Sequence, residues 1–183
     1  MSRARILGIV GWSGSGKTTL ITRLIPLLVS RGLRIATLKH AHHAFDVDQP
    51  GKDSYEHRKA GAGEVIVSSS RRWVQMHEIG EGSEAPLPQL LRRLSPCDLI
   101  LIEGYKNERH PKLEVFRDAV GKAPLYPEDR HIVAIASYPV ISGIRLAVVD
   151  LNDIEAVGNA VWACAEPFDP VLARLEERPA KAP

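Results

Sequence analysis

Cysteine is scarce in this chain of 183 residues. Cys97 and Cys164 lie far apart, each in a segment that looks buried. That spacing argues against a disulfide scaffold or a metal pair and for two small core thiols in a reducing compartment. A cytoplasmic location is expected. An excess of one charge is lacking too, since 24 Lys and Arg against 22 Asp and Glu leave +2. Such a balance offers no broad surface for nucleic acid or another polyanion. No apolar run approaches the roughly 20 residues of a membrane span, so no membrane partner is expected. The opening Met1-Ser2-Arg3-Ala4-Arg5 enters an apolar segment at once, and no secretory signal is expected. No internal repeat is visible. What remains, 44% apolar and 25% charged residues, is a globular composition long enough for a real core.

Against these absences one segment stands out. Gly11-Trp12-Ser13-Gly14-Ser15-Gly16-Lys17-Thr18-Thr19 satisfies G-x-x-x-x-G-K-[ST] at every fixed position. It follows the strand-like Ile6-Leu7-Gly8-Ile9-Val10 and precedes Leu20-Ile21-Thr22-Arg23-Leu24-Ile25, which has helical spacing. Strand, glycine-rich turn and helix N-terminus together make an anion site. Backbone N–H groups line the turn, and the glycines let them approach phosphate oxygens closely. Gly11, Ser13, Gly14, Ser15, Gly16, Lys17, Thr18 and Thr19 are therefore the expected cofactor-binding residues. Lys17 neutralises the outer phosphates, and the Thr18 hydroxyl ligates Mg²⁺. The flanking elements make this reading preferable to an incidental glycine turn.

The rest of the chain alternates strand and helix patterns, which predicts an α/β fold with a mostly parallel, doubly wound sheet. Strands are expected at 5–10, 34–39, 64–68, 98–103, 131–136 and 145–149. Segments 73–77 and 112–117 can each add a strand or a hairpin partner. Helices are expected at 17–31, 53–61, 87–94 and 152–164. Arg31-Gly32 stops the first, and Asn152 or Asp153 caps the last. No domain boundary is visible within residues 1–166. A proline-containing tail, 167–183, is expected to add one short helix near 170–177 and then fray.

Two further segments carry candidate chemistry. Asp98-Leu99-Ile100-Leu101-Ile102-Glu103-Gly104 is an apolar strand that ends in a carboxylate and a glycine. A phosphate-binding loop needs such an acid beside the Mg²⁺, so Glu103 is read as a metal residue rather than a mere strand end. The polar loop Lys39 to Ser54 follows the second strand, where open α/β sheets bind their ligands. Asp46 and Asp48 can bind Mg²⁺ or orient water there, which makes both tentative catalytic residues and Asp46 a metal candidate. Lys39 and Lys52 can meet an anion. Asp53 with Glu56 reads first as a helix cap. Arg58 is either an anion contact or solvated. His40, His42 and His43 suggest a transition-metal site, although no cysteine lies nearby. Lys112 to Arg117 reads as an amphipathic edge strand or as the lining of a second anionic pocket.

Several segments together resemble the molybdopterin-guanine dinucleotide biosynthesis protein B family, MobB. These are G-W-S-G-S-G-K-T-T-L, T-L-K-H-A-H-H, D-V-D-Q-P-G-K-D-S-Y-E-H-R-K-A-G-A, D-L-I-L-I-E-G-Y-K and P-K-L-E-V-F-R. The resemblance spans roughly residues 5–163. It implies a P-loop NTPase fold, a three-layer sandwich with helices on both faces of the sheet. It also implies GTP as ligand, a homodimer, and weak GTPase activity. The implied role is that of an accessory partner of the guanylyltransferase MobA, which attaches GMP to molybdopterin. Direct contact with molybdopterin is an open extension of that role. Within the resemblance, Gly11–Thr19 hold phosphates while Asp46, Asp48 and Glu103 lie near the metal. The sequence has no N-K-x-D or T-K-x-D to read guanine, and Tyr138 stands where a carboxylate is expected.

Two other functions compete. A small-molecule kinase would use Asp46 or Asp48 as general base for an acceptor hydroxyl, with Arg71-Arg72 or Arg92-Arg93 as a lid pair. A metallochaperone GTPase would use His40, His42 and His43.

Overall fold

The structure, a computed structural model, describes residues 4–41, 46–80 and 84–177. In chain order the elements are strand β1 (Arg5–Val10), helix α1 (Lys17–Ser30), β2 (Ile35–Lys39), α2 (Asp53–Lys59), β3 (Glu64–Ser68) and β4 (Trp73–His77). Then come α3 (Leu87–Leu91), β5 (Leu99–Glu103), β6 (Lys112–Arg117), a 3-10 turn Asp118–Val120 and β7 (Ile132–Tyr138). The chain closes with β8 (Ala147–Asp150), α4 (Ile154–Cys164), β9 (Glu166–Pro167) and α5 (Phe168–Glu176). Contacts divide the chain into two compact units, Met1–His40 with Leu91–Pro183, and Ala41–Leu90.

The larger unit holds a seven-stranded sheet in the order β2-β5-β1-β6-β7-β8, with β9 paired to β1. Every pairing is parallel except that of β9. The alternation of strand and helix in the sequence predicted this mostly parallel sheet, and it is the P-loop NTPase fold that the family resemblance implied. Parallel strands with both faces covered read as continuous apolar runs. Accordingly Leu99, Ile100, Leu101 and Ile102 are all buried. Alternate residues split the core. Leu7, Ile9, Leu99, Leu101, Leu113, Val115, Ala134 and Ala136 pack with α1 and α4. Val10, Ile132 and Ile135 face the other way, against Phe116, Leu125, Tyr126 and Ile141.

The helix ends follow local chemistry. Gly32 takes a positive φ of 83°, and the Leu33 N–H donates to the Leu28 carbonyl at 3.2 Å, so α1 stops where a glycine permits it. The Asp153 carboxylate caps α4 by accepting the Ala156 N–H at 3.0 Å. Asp53 is different from its sequence reading. Lys52, in an extended conformation, is the N-cap of α2 and makes no side-chain cap bond, so Asp53 sits inside the first turn. There its charge favours the helix dipole without closing a capping box.

Lys112 to Arg117 is likewise no edge strand. As β6 it lies between β1 and β7, and Lys112 and Glu114 are buried. Alternation of charged and apolar residues concealed this because both charges find partners inside. The Lys112 ammonium donates to the Asp129 carboxylate at 2.7 Å. Glu114 accepts the N–H groups of Leu125 and Tyr126 at 2.7 and 2.9 Å. Burial raises the Glu114 carboxyl above its ordinary pKa, and these two bonds oppose the shift.

Segment 166–176 also has tertiary anchors. β9 takes the half of β1 below the start of β6, because Arg5 and Ile6 pair with Pro167 and Glu166 while β6 begins opposite Gly8. Phe168 and Val171 of α5 are buried.

The smaller unit holds α2 and the antiparallel pair β3–β4. Here 64–68 and 73–77 form their own two-stranded sheet instead of joining the parallel one.

Candidate functional site

The turn between β1 and α1 is shaped by glycine conformation. Gly14 and Gly16 have φ of 81° and 95°, a region that side chains rarely tolerate. A Cβ on Gly11 would lie 2.5 Å from the Val115 carbonyl oxygen, so only glycine fits against β6. The Ser15 N–H donates to the Trp12 carbonyl at 3.1 Å, and the Leu20 N–H to the Gly16 carbonyl at 2.8 Å. The turn thus passes directly into the first hydrogen-bonded turn of α1, whose leading N–H groups have no partner within the helix. That is the geometry of an anion site. Ser15 is buried, and its hydroxyl has no hydrogen-bond partner among the described residues.

Lys17 bridges the turn, donating to the carbonyls of Gly11 and Trp12 at 2.9 and 2.8 Å. Burial pushes its pKa below the ordinary lysine value; Glu103 acts against this shift and Lys39 adds to it. The Thr18 hydroxyl donates to the Glu103 carboxylate at 2.7 Å. Lys39 lies 3.4 Å from the same carboxylate oxygen. The end of β5 therefore meets the start of α1, and the expected pair Thr18 and Glu103 is in contact. A hydroxyl and a carboxylate beside an anion-binding turn are the hard oxygen donors that Mg²⁺ takes together with phosphates, so the residues fit that ion.

Gly104 follows with a φ of 90°, and a Cβ there would press to 3.0 Å from His40. The His40 N–H donates to the Glu103 carbonyl at 2.9 Å, and the His40 and Tyr105 rings lie 4.6 Å apart. These contacts place His40 in the packing at the end of β5. His42 and His43 lie outside the described residues.

Two side-chain contacts that the motif does not specify support the loop. The Arg117 guanidinium donates through Nε to the Ser15 carbonyl at 3.1 Å. The Trp12 indole donates to the Ala123 carbonyl at 2.7 Å, with the Lys106 ammonium 5.3 Å from its ring centroid. Both contacts join residues distant in sequence, so no local pattern signals them.

Asp46 and Asp48 belong to the smaller unit, where Arg58 gathers them. Arg58 donates to Asp46 at 2.7 Å and to Glu78 at 2.7 Å, and its Nε lies 3.6 Å from Asp48. Asp46 accepts the Asp48 N–H at 3.1 Å, and Asp48 accepts the Ser54 hydroxyl at 3.1 Å. The Asp48 amide, followed by Arg58, holds the Asp46 carboxyl below its ordinary pKa. Glu78 and Asp46 raise that of Arg58 in turn. Arg58, read from the sequence as an anion contact or as solvated, pairs here with the chain's own carboxylates. Among the described residues no three His, Cys, Asp or Glu side chains form a group arranged to hold a metal ion.

Comparison with known proteins identifies the family. The family model "Molybdopterin guanine dinucleotide synthesis protein B" matches residues 6–138. The molybdopterin-guanine dinucleotide biosynthesis adapter protein of Escherichia coli (strain K12) is 46% identical over 159 residues, covering 85% of this chain and 90% of that protein. The adapter protein of the same name from Haemophilus influenzae is 38% identical over 163 residues, with 85% and 86% covered. Among solved structures, a MobB protein homologue from Bacillus stearothermophilus superposes with a TM-score of 0.61 at 26% identity, covering 86% of this chain and 98% of that one. Bacillus subtilis MobB superposes with a TM-score of 0.66 at 24% identity, covering 88% and 98%, and agrees in fold. The chain belongs to the MobB family.

Proposed function

We propose that this protein is a GTP-binding adapter in molybdenum cofactor biosynthesis, assisting the guanylyltransferase MobA as it attaches GMP to molybdopterin. The observation that carries the reading is the contact of Thr18 with Glu103 beside the Gly11–Lys17 turn. It unites an anion cradle with the oxygen donors of Mg²⁺. The adapter role rests on the relatives of that description. Hydrolysis is expected to be slow, because no glutamine or free-standing arginine finger marks the loop. Asp46 and Asp48 keep their proposed parts in metal binding and water orientation. A homodimer belongs to the same reading, supported by the exposed Ile66, Val67, Trp73 and Val74 on the β3–β4 hairpin. An apolar sheet edge of this kind favours association. A cytoplasmic location fits a substrate chemistry of soluble nucleotides.

The deciding experiment is a nucleotide panel by calorimetry, GTP against ATP with and without Mg²⁺, followed by titration of purified guanylyltransferase. Lys17→Ala should lower triphosphate affinity at least about a hundredfold with the fold intact by circular dichroism, the loss of a charge-assisted contact in a partly buried site. Unchanged GTP affinity in that variant contradicts the reading. Transfer of phosphate to an added alcohol acceptor would favour a kinase instead.

A further inference from the structure

No N-K-x-D is present to read the base of the proposed nucleotide, and Tyr138 stands where a carboxylate is expected. β6 continues past the end of β1. Glu114 is level with Val10, and Val115, Phe116 and Arg117 run beyond it. β7 runs on beside it, and Tyr138 is the register partner of Arg117. The two strands make a wall next to the phosphate-binding turn.

Alternation fixes the side on which their last residues lie. Leu113 and Val115 of β6, and Ala134 and Ala136 of β7, face the α1 core. Arg117 and Tyr138 each follow two residues on, so both side chains project from the α1 face. Arg117 leans on the turn, since its Nε bonds the Ser15 carbonyl and lies 3.5 Å from where a Cβ on Gly16 would be. Tyr138 is the next position outward. It is 52% exposed, with Val140 beyond it at 53%. The segment is held in place from below, because the Ile141 N–H donates to the buried Ser137 hydroxyl at 3.2 Å. An exposed aromatic ring on an anchored turn is a stacking platform, with little conformational entropy left to lose.

Distance selects Tyr138 over its neighbours. From β1 to β7 is two strand spacings, about 9.5 Å. This matches the reach from an outer phosphate through α-phosphate and ribose to a base. Asp150 of β8, a carboxylate at the same edge, is one strand further, and its Oδ1 already accepts the Asn152 N–H at 2.8 Å. We infer that the Tyr138 ring stacks on the face of the purine whose triphosphate lies on Gly11–Thr19, with Arg117 between ring and turn. The inference rests on the nucleotide reading above. Stacking accepts any purine face, so Tyr138 supplies affinity without separating guanine from adenine. A missing N-K-x-D is then no obstacle to nucleotide binding.

Calorimetry with GTP, ATP and inorganic tripolyphosphate, all with Mg²⁺, tests this on the full chain. Tyr138→Ala should weaken GTP and ATP by a common factor of about ten while tripolyphosphate binds as in the parent. Tyr138→Phe should behave as the parent, because the ring and not the hydroxyl is used. Parental GTP affinity in Tyr138→Ala would overturn the inference, and so would an equal loss for tripolyphosphate or a Phe variant as weak as the Ala one. Lys17→Ala separates the two levels. If it loses all three ligands while Tyr138→Ala loses none, only the base seat falls. If it keeps GTP, the phosphate-loop reading falls and the base seat with it.

Discussion

The two compact units hold themselves together by different means. In the larger unit the strands β1 and β5 are buried almost throughout, and α1 and α4 close over Leu7, Ile9, Leu101 and Val115. In the smaller unit α2 contributes no buried residue, and β3 buries only Val65. Trp73 is 63% exposed and Ile66 61%. A two-stranded sheet is marginal by itself in water. Polar links join its elements here: Arg58 to Glu78 and Asp46, and Gln75 to Glu64 across the strands. Burial of apolar surface is not weakened by ionic screening, whereas exposed ion pairs are screened and contribute little each. The chemistry of the phosphate-binding turn sits in the unit whose scaffold is rigid for the first reason.

The largest expected effect lies in the apolar core. Leu101→Ala leaves a cavity beneath α1 and should lower the unfolding free energy of the larger unit by about 2–5 kcal/mol, read from urea denaturation. A cost near zero would mean that this core is not close-packed.

A titrating core residue comes next. His110 is fully buried, packs against Gly8, and has no hydrogen-bond partner for either ring nitrogen among the described residues. Burial first, then the charge of Lys112, lowers its pKa from 6.5 to about 3; Asp129 opposes, while His131 and Arg174 add to the shift. The unfolded histidine takes up a proton below about pH 6.5, and the folded one refuses it until about pH 3. Stability is therefore complete above pH 6.5 and falls as pH drops, by about 1.4 kcal/mol per pH unit within that window. Denaturation at pH 7, 6 and 5 should show stability falling, less steeply between pH 7 and 6 than between 6 and 5, and His110→Leu should flatten the fall. An unchanged slope in the variant would assign the effect to other groups.

Glu103 and Asp46 sharpen the comparison at the level of chemistry, since one carboxylate in each unit is proposed for the metal. Glu103→Gln should reduce the Mg²⁺ enhancement of GTP binding about tenfold, as for one lost charge-assisted contact, and leave metal-free binding nearly unchanged. Asp46→Asn, measured alongside, reports whether the smaller unit contributes a ligand. Equal effects of Glu103→Gln with and without Mg²⁺ would remove its metal role.

The smallest effect is expected from Arg58→Ala. Hydrogen exchange should quicken across Glu64–Ser68 and Trp73–His77 while the global urea midpoint stays put. The same quickening should appear in the parent protein at high salt. A shift of the global midpoint would mean that the two units unfold together.

Much of this was legible beforehand because it depends on neighbours in sequence. Gly11 to Thr19 dictates its own turn, since glycine conformation and a following helix are local properties. Leu99 to Glu103 announces a buried strand by unbroken apolarity. Lys112 to Arg117 misled for the converse reason: its charges looked solvent-facing, while Asp129 and the amides of Leu125 and Tyr126 receive them from across the fold. The same holds for Asp53, whose capping pattern is overridden by the extended backbone of Lys52. Asp46, Asp48 and Arg58 looked like separate candidates, and only the fold shows one arginine holding both acids.

The sequence by itself determined the anion-binding turn, the parallel α/β class and the acid that ends β5, because each follows from backbone conformation or periodicity over a few residues. Tertiary structure alone decided that Thr18 touches Glu103, that β6 is central, and that Arg117 and Tyr138 stand side by side beyond the turn. Those relations depend on strand order and register, which long-range packing sets and no short segment encodes.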